Sequence, residues 1–405
     1  MQKSNTSLQP QTRQPQTQQP AETGNQTPRQ KKKQTAIELK SKQLPKWAPW
    51  GVAGAAIVAG IGLSFVFTGG FNVALAALLA GLINLGVIFA WSFAVEGQRK
   101  ATDRVATTLV TSAFAIACIP LISLLWTALE RGGPVLLEHP SVLNRTMQGM
   151  KGVLDQEYVA GEASLAGGFY HAIAGTILIT LASCVISIPI GVLTAIYLVE
   201  YGGRNPLARG ITFLVDVMTG IPSIVAGLFA FSLFGTVAAI VNPGAIGSAK
   251  TGIAAAVALS VLMIPVVVRN TEEILRLVPM DLREATYALG VPKWKTIVRI
   301  VLPTAISGIL SGITIAIARV IGETAPIMVT AGFAKNLNWD LFSGWMSTLP
   351  TYIYDSQMRP VSPGVAAAAS SERAWAAALV LIIIVMLLNL IARLIAKALA
   401  PKAGR

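Results

Sequence analysis

The sequence predicts an all-α polytopic membrane protein that crosses a bilayer eight times. Three observations lead there. Of 405 residues, 53% are hydrophobic and 13% charged, about half the charge of an ordinary soluble domain. Eight apolar stretches reach or approach the ~20 residues that cross a hydrocarbon core as a helix. The basic residues collect in alternate connecting segments. In lipid, backbone amides must be satisfied internally, and stretches of this length suit helices far better than the short alternating strands of a barrel.

Residues 1–46 are rich in Gln, Thr, Pro and Lys, with Leu8, Ile37, Leu39 and Leu44 almost their only large aliphatics. Such a segment buries too little surface to offset its ordering entropy and is expected to be a disordered, basic cytoplasmic tail. From Trp47 to Val95 there is no charged residue, a run too long for one crossing and too late and long for a cleaved signal peptide. Thr68-Gly69-Gly70 offers the turn that divides it, which predicts a hairpin of helices at about 47–67 and 71–94 within a segment 47–101. Further helices are expected at about 105–129, 171–200, 211–240, 252–270, 303–331 and 374–396, within a domain 102–398 followed by a tail 399–405.

With the N-terminus inside, the inner segments hold 24 of the 32 Lys and Arg residues and the outer segments seven, leaving Arg319 within a helix. That bias places both termini in the cytoplasm and accounts for the net charge of +13 without nucleic acid. Cys118 and Cys184 both lie in apolar runs, and His139 and His171 are the only histidines, so neither a disulfide framework nor a metal centre is expected. The outer loops, about 130–170 and 332–373, are long. Trp339, Trp345, Tyr352 and Tyr354 in the second serve either as interfacial anchors or as a docking surface for a partner.

The inner loop Glu272–Pro303 is the most patterned stretch. Leu282, Ala285, Ala288 and Leu289 fall at helical spacing, so a short helix can press one face onto a partner while Glu284 on its polar flank pairs with a basic residue there. Gly290 can take a left-handed cap conformation and Pro292 suits the start of a second helix. A capped loop resting on lipid headgroups is the plainer alternative. Glu284-Ala285-Thr286, then Gly290, then Ile300, Leu302 and Pro303 resemble the EAA loop of ABC importer permeases at every spacing, with Thr286 in place of the usual second alanine. The resemblance implies that the loop docks into a cleft of a separate ATPase, with Glu284, Ala285 and Gly290 as the coupling residues. No Gly-Lys dipeptide occurs anywhere in the chain, so a phosphate-cradling P-loop is impossible. ATP and Mg are therefore expected on the partner, with no cofactor on this chain and no catalytic residues.

Arg319 and Glu323 stand four residues apart, on one face of the helix expected at 303–331. A central Arg costs about +2.5 to +3.5 kcal/mol on insertion scales, and a helix-surface pair returns only about 0.2–0.5 kcal/mol. Either a role in the substrate pathway or a buried structural contact is needed to explain them. Asp216 either lines the route or caps its helix near the headgroups. Pro189, Pro222 and Pro265 are expected to kink helices.

The run Arg319-Val320-Ile321-Gly322-Glu323-Thr324-Ala325-Pro326 resembles a signature of the PstA family, the A-type permeases of high-affinity phosphate importers. Asp216–Val225 and Tyr197-Leu198-Val199-Glu200-Tyr201 resemble it too. The resemblance spans roughly 102–398. It implies a type I ABC importer fold of six core helices, a second homologous permease, an ATPase dimer and an extracytoplasmic phosphate-binding protein. The two additional N-terminal helices depart from it. Arg319 then gains a role, since its planar fork can donate two hydrogen bonds to an oxyanion. Glu323 either orients it or accepts the proton that phosphate retains at neutral pH and sulfate lacks. The alternatives are an ABC permease for sulfate or molybdate, or a proton-coupled secondary transporter using the same pair as a relay.

Overall fold

A computed structural model describes residues 44–45, 47–68, 72–203, 205–241 and 249–399. The tail before residue 44, the Gly69-Gly70 turn and the tail from residue 400 lie outside the described residues. The chain divides into two compact units, residues 1–116 and 117–405. The helix α3 (Gln98–Glu138) runs through both this division and the 101/102 boundary read from the sequence.

In the first unit, α1 (Ala48–Thr68) and α2 (Val73–Glu96) form an antiparallel hairpin. Its seam repeats every four residues: Ala48, Val52, Ala56, Gly60 and Ser64 on α1, and Ala76, Ala80, Ile88 and Ser92 on α2. Small residues let helix backbones approach closely in lipid. A Cβ on Gly60 would lie 2.6 Å from the carbonyl oxygen of Ala76 and 2.7 Å from the nitrogen of Ala80. Gly60→Val is therefore expected to part the helices and destabilise the hairpin by about 1–3 kcal/mol, seen as unfolding at a lower detergent ratio in an SDS titration. An unmoved midpoint would contradict this seam. Beyond it, Ser64 Oγ donates to the carbonyl of Asn72 at 3.0 Å. At the opposite end, the buried carboxylate of Glu96 accepts from Leu44 N (2.9 Å), Ser92 Oγ (2.8 Å), and Arg104 Nε (2.5 Å) and Nη2 (2.8 Å).

The second unit is built on α5 (Tyr170–Ile196), α7 (Ser223–Val241), α8 (Gly252–Leu277), α11 (Leu302–Ile321) and α14 (Ala367–Leu399). With α1, α2 and α3, the described residues contain eight helices long and apolar enough to cross a membrane. α8 is the central one: 67% of its most apolar stretch is buried, whereas that of α3 is wholly unburied. Three apolar clusters run along the unit. Ile179, Leu259, Met263 and Ala316 form the middle one. Ala195, Val215, Val268, Leu275 and Val301 form another at the end nearest residues 278–301.

At the far end, α4 (Gly152–Val159) and α13 (Leu349–Met358) close over the bundle around Leu165, Phe169 and Tyr352. The long loops are thus packed structure. Tyr352 is 5% exposed, with the Phe169 ring tilted against it and the His171 ring edge-on, so it is a core residue and neither an anchor nor a docking group. Trp345 and Trp339 are both exposed, with Lys250 over the Trp345 ring. Arg373 pairs with Asp155 through two bonds of 2.8 and 2.7 Å and donates to the Ala166 carbonyl and Ser370 Oγ. Burial and a 2.6 Å hydrogen bond to Glu372 push the Tyr158 phenol up to about 12.

Two expected helices are interrupted. The stretch 211–240 is not one helix: α6 (Pro206–Thr219) ends at Gly220 and α7 begins at Ser223. Pro222 has no N–H to continue the ladder, and the residue before a proline disfavours the helical region, so a break replaces the expected kink. The helix expected at 303–331 ends at Ile321 and Gly322, and a separate short α12 (Ala325–Thr330) follows, with Pro326 near its start. Pro189 and Pro265 remain inside α5 and α8.

Candidate functional site

The patterned loop contains the short helix and the glycine cap that the sequence predicts. α9 (Met280–Ala288) is followed by Gly290 at φ 72°, whose N–H donates to the Tyr287 carbonyl at 2.9 Å while Val291 N–H reaches Thr286 at 3.2 Å. These two bonds make a Schellman cap, which a left-handed glycine favours. Pro292 then precedes α10 (Lys293–Thr296), and a wide turn over Ile297–Val301 leads into α11. The second short helix expected after Pro292 is not separate: Lys293–Thr296 is the first turn of a continuous helix that runs through the wide turn and α11 to Ile321.

The outward face of α9 is open. Leu282, Glu284, Ala285, Tyr287, Ala288 and Leu289 are all exposed, Leu289 at 82%. Among the described residues Glu284 makes no ion pair. An apolar strip bordered by such a carboxylate can meet a partner surface that has an apolar pocket and a basic group.

The inward face of α9 rests on one residue that sequence reasoning passed over. Arg283 is buried among its neighbours. Its Nε and Nη2 donate to Glu200 Oε1 at 3.2 and 3.0 Å, its Nη1 to the Val278 carbonyl at 2.6 Å and its Nη2 to the Leu275 carbonyl at 2.9 Å. Two carbonyls at the C-terminal end of α8, Leu275 and the cap residue Val278, thereby accept from a charged donor. Glu200 sits in a wide turn, Tyr197–Tyr201, that extends α5, and Lys293 donates to its carbonyl and lies 5.1 Å from the Tyr201 ring centre. The signal was available: a carboxylate closing an apolar run, and an arginine directly before the Glu284-Ala285 pair.

A second charged cluster joins α6 to α8. Arg269 pairs with Asp216 and, at 2.8 Å, with Glu272, which also accepts from Arg276 at 2.5 Å. Asp216 is thus ion-paired to α8, and its side chain caps no helix end among the described residues.

Arg319 and Glu323 are placed differently from the expectation. Arg319 occupies the last turn of α11 and is exposed, whereas Glu323 lies past the Gly322 cap, half-buried, its N–H donating to Val320 at 3.1 Å. They do not share a helix face, because the helix ends between them. Neither takes part in an ion pair among the described residues. The C-terminal end of α11 favours a cation at Arg319.

The family model of the binding-protein-dependent transport system inner membrane component matches residues 187–405. That range contains Glu200, Arg283, Glu284, Arg319 and Glu323. Phosphate transport system permease protein PstA 1 of Mycobacterium tuberculosis (strain CDC 1551 / Oshkosh) is 46% identical over 299 residues, 74% of this chain and 90% of the relative. The chain belongs to the PstA family. PstA of Mycobacterium leprae is 44% identical, over 67% of this chain and 82% of its own length. PstA of Yersinia pestis is 36% identical, over 74% and 92%. Among solved structures, the inward-facing MetNI methionine ABC transporter overlaps at a TM-score of 0.43 and 20% identity, covering 58% of this chain and 95% of that one, a likeness too slight to carry a functional argument. As a member of the PstA family the chain is a multi-pass inner-membrane permease subunit with a helical ABC-type core.

Proposed function

We propose that the chain is the translocation subunit of an ATP-driven phosphate importer in which a separate ATPase grips α9. The single observation that carries this reading is the exposed face of α9, apolar and edged by Glu284, held from behind by the buried Arg283. Family membership supplies the setting. In this reading two ATPase subunits hold the ATP and Mg, no cofactor sits on this chain, a second homologous permease completes the pore, and an extracytoplasmic binding protein delivers phosphate. The basic bias of the segments before Trp47 and after α14 supports a cytoplasmic position for both termini. Arg319, exposed and in no ion pair among the described residues, offers its fork to the anion as it passes. Glu323, set beyond the helix break, takes the proton that phosphate retains.

Purification of the chain from its native membrane is expected to bring a nucleotide-hydrolysing subunit with it. Glu284→Arg is expected to break that association or lower phosphate uptake at least about tenfold, because like charges facing a basic site repel. Normal association together with normal uptake in that variant would overturn the coupling role of α9.

A further inference from the structure

We propose that Arg283 and Glu200 form a rigid strut that carries movement of α9 into the spanning helices, so that this pair positions the coupling element rather than merely stabilising it. The inference rests on the reading above that an ATPase drives α9.

Only Val278 and Pro279 separate α8 from α9, and a two-residue peptide link alone leaves the angle between two helices adjustable. Arg283 removes that freedom. One planar guanidinium touches three elements and the link at once: α9, which carries it; the last turn of α8, through the Leu275 carbonyl; the link itself, through the Val278 carbonyl; and the wide turn after α5, through Glu200. The side chains of both partners are nearly closed to solvent, at 7% and 5%, so water does not compete for these bonds. Lys293 brings α10 to the same place through the Glu200 carbonyl. Load applied to the exposed face of α9 therefore passes to α5 and α8 together.

Those two helices are packed against each other along the unit. Ala195, Val268 and Leu275 join them to Val301, Ala305 and Ile309, which lead into α11. α11 ends just beyond Arg319. Coupling between distant sites needs packed elements that move as bodies rather than a chain of soft joints, and this arrangement supplies one from the docking face to the proposed passage.

The test uses the complete complex with its ATPase and binding-protein partners, reconstituted in vesicles, and reads phosphate imported per ATP hydrolysed. Arg283→Lys keeps the charge but cannot reach Glu200 and both carbonyls together. Glu200→Gln keeps the shape but removes the counter-charge. Each is expected to lower the transport ratio about tenfold, within the range seen when coupling residues are altered, with ATP hydrolysis continuing and no longer dependent on the loaded binding protein. A purely structural role would reduce the amount of complex recovered and leave the ratio of the remainder intact. An unchanged ratio in either variant overturns the strut. Failure of the wild-type chain to associate with any ATPase would overturn the parent reading, and that outcome is visible before any variant is made.

Discussion

Arg373→Met is expected to destabilise the detergent-solubilised protein by about 3–5 kcal/mol, since it leaves Asp155 charged, buried and without its partner. The two side chains are 1% and 0% exposed. Their pairing ties the start of α14 to α4, with Ser370 and the Ala166 carbonyl completing the shell. The double variant Asp155→Leu with Arg373→Met removes both charges. It is expected to recover most of the loss, because well-packed apolar groups commonly replace a buried pair at little cost. Thermal melts of the two variants decide the matter. Equal destabilisation by the single and double changes would mean that packing, and not the uncompensated carboxylate, sets the penalty.

Arg319→Gln is expected to lower phosphate uptake by at least about a hundredfold, the scale of losing a preorganised charge-assisted contact worth about 2.7 kcal/mol or more, while the complex still assembles. Arg319→Lys is expected to restore part of the rate, since an ammonium attracts the anion but lacks the fork. Glu323→Gln separates the two carboxylate roles. The absence of an ion pair between Glu323 and Arg319 argues against an orienting role, so its loss is expected to weaken discrimination between phosphate and sulfate more than the rate. Uptake with sulfate as competitor reads both quantities. Unchanged rate and discrimination in Glu323→Gln would remove that residue from the passage, and full uptake in Arg319→Gln would remove the arginine.

Local signals make the spans and the patterned loop around Gly290 legible. A bilayer crossing is set by length and apolarity, so α1, α2, α5 and α8 can be placed from composition alone. The bend at Gly290 can be read because a left-handed cap and a following proline are chemical properties of single residues. Pairing at a distance cannot be read this way. Asp155 and Arg373 are 218 residues apart and Glu200 and Arg283 are 83 apart, and no periodicity in either segment names the other. By sequence position Arg373 is one more loop charge; in the fold it is buried against Asp155. The breaks at Gly220–Pro222 and Gly322–Thr324 escape for a different reason: apolar composition continues across them while the backbone does not. The second break changes the site most, because it takes Glu323 off the face that carries Arg319.

The seam between α1 and α2 also bears on the order of biogenesis. Each helix finds its close-packing partner in the very next segment of chain, and the connection is fastened by Ser64 and Asn72. Nothing synthesised later is required to fill that groove. The pair can leave the insertion machinery as a finished unit while the ribosome is still making the remainder, much as domains mature one by one during translation. The helices of the second unit have no such independence: α5 must wait for α8, and α8 for α11, before their buried faces are covered.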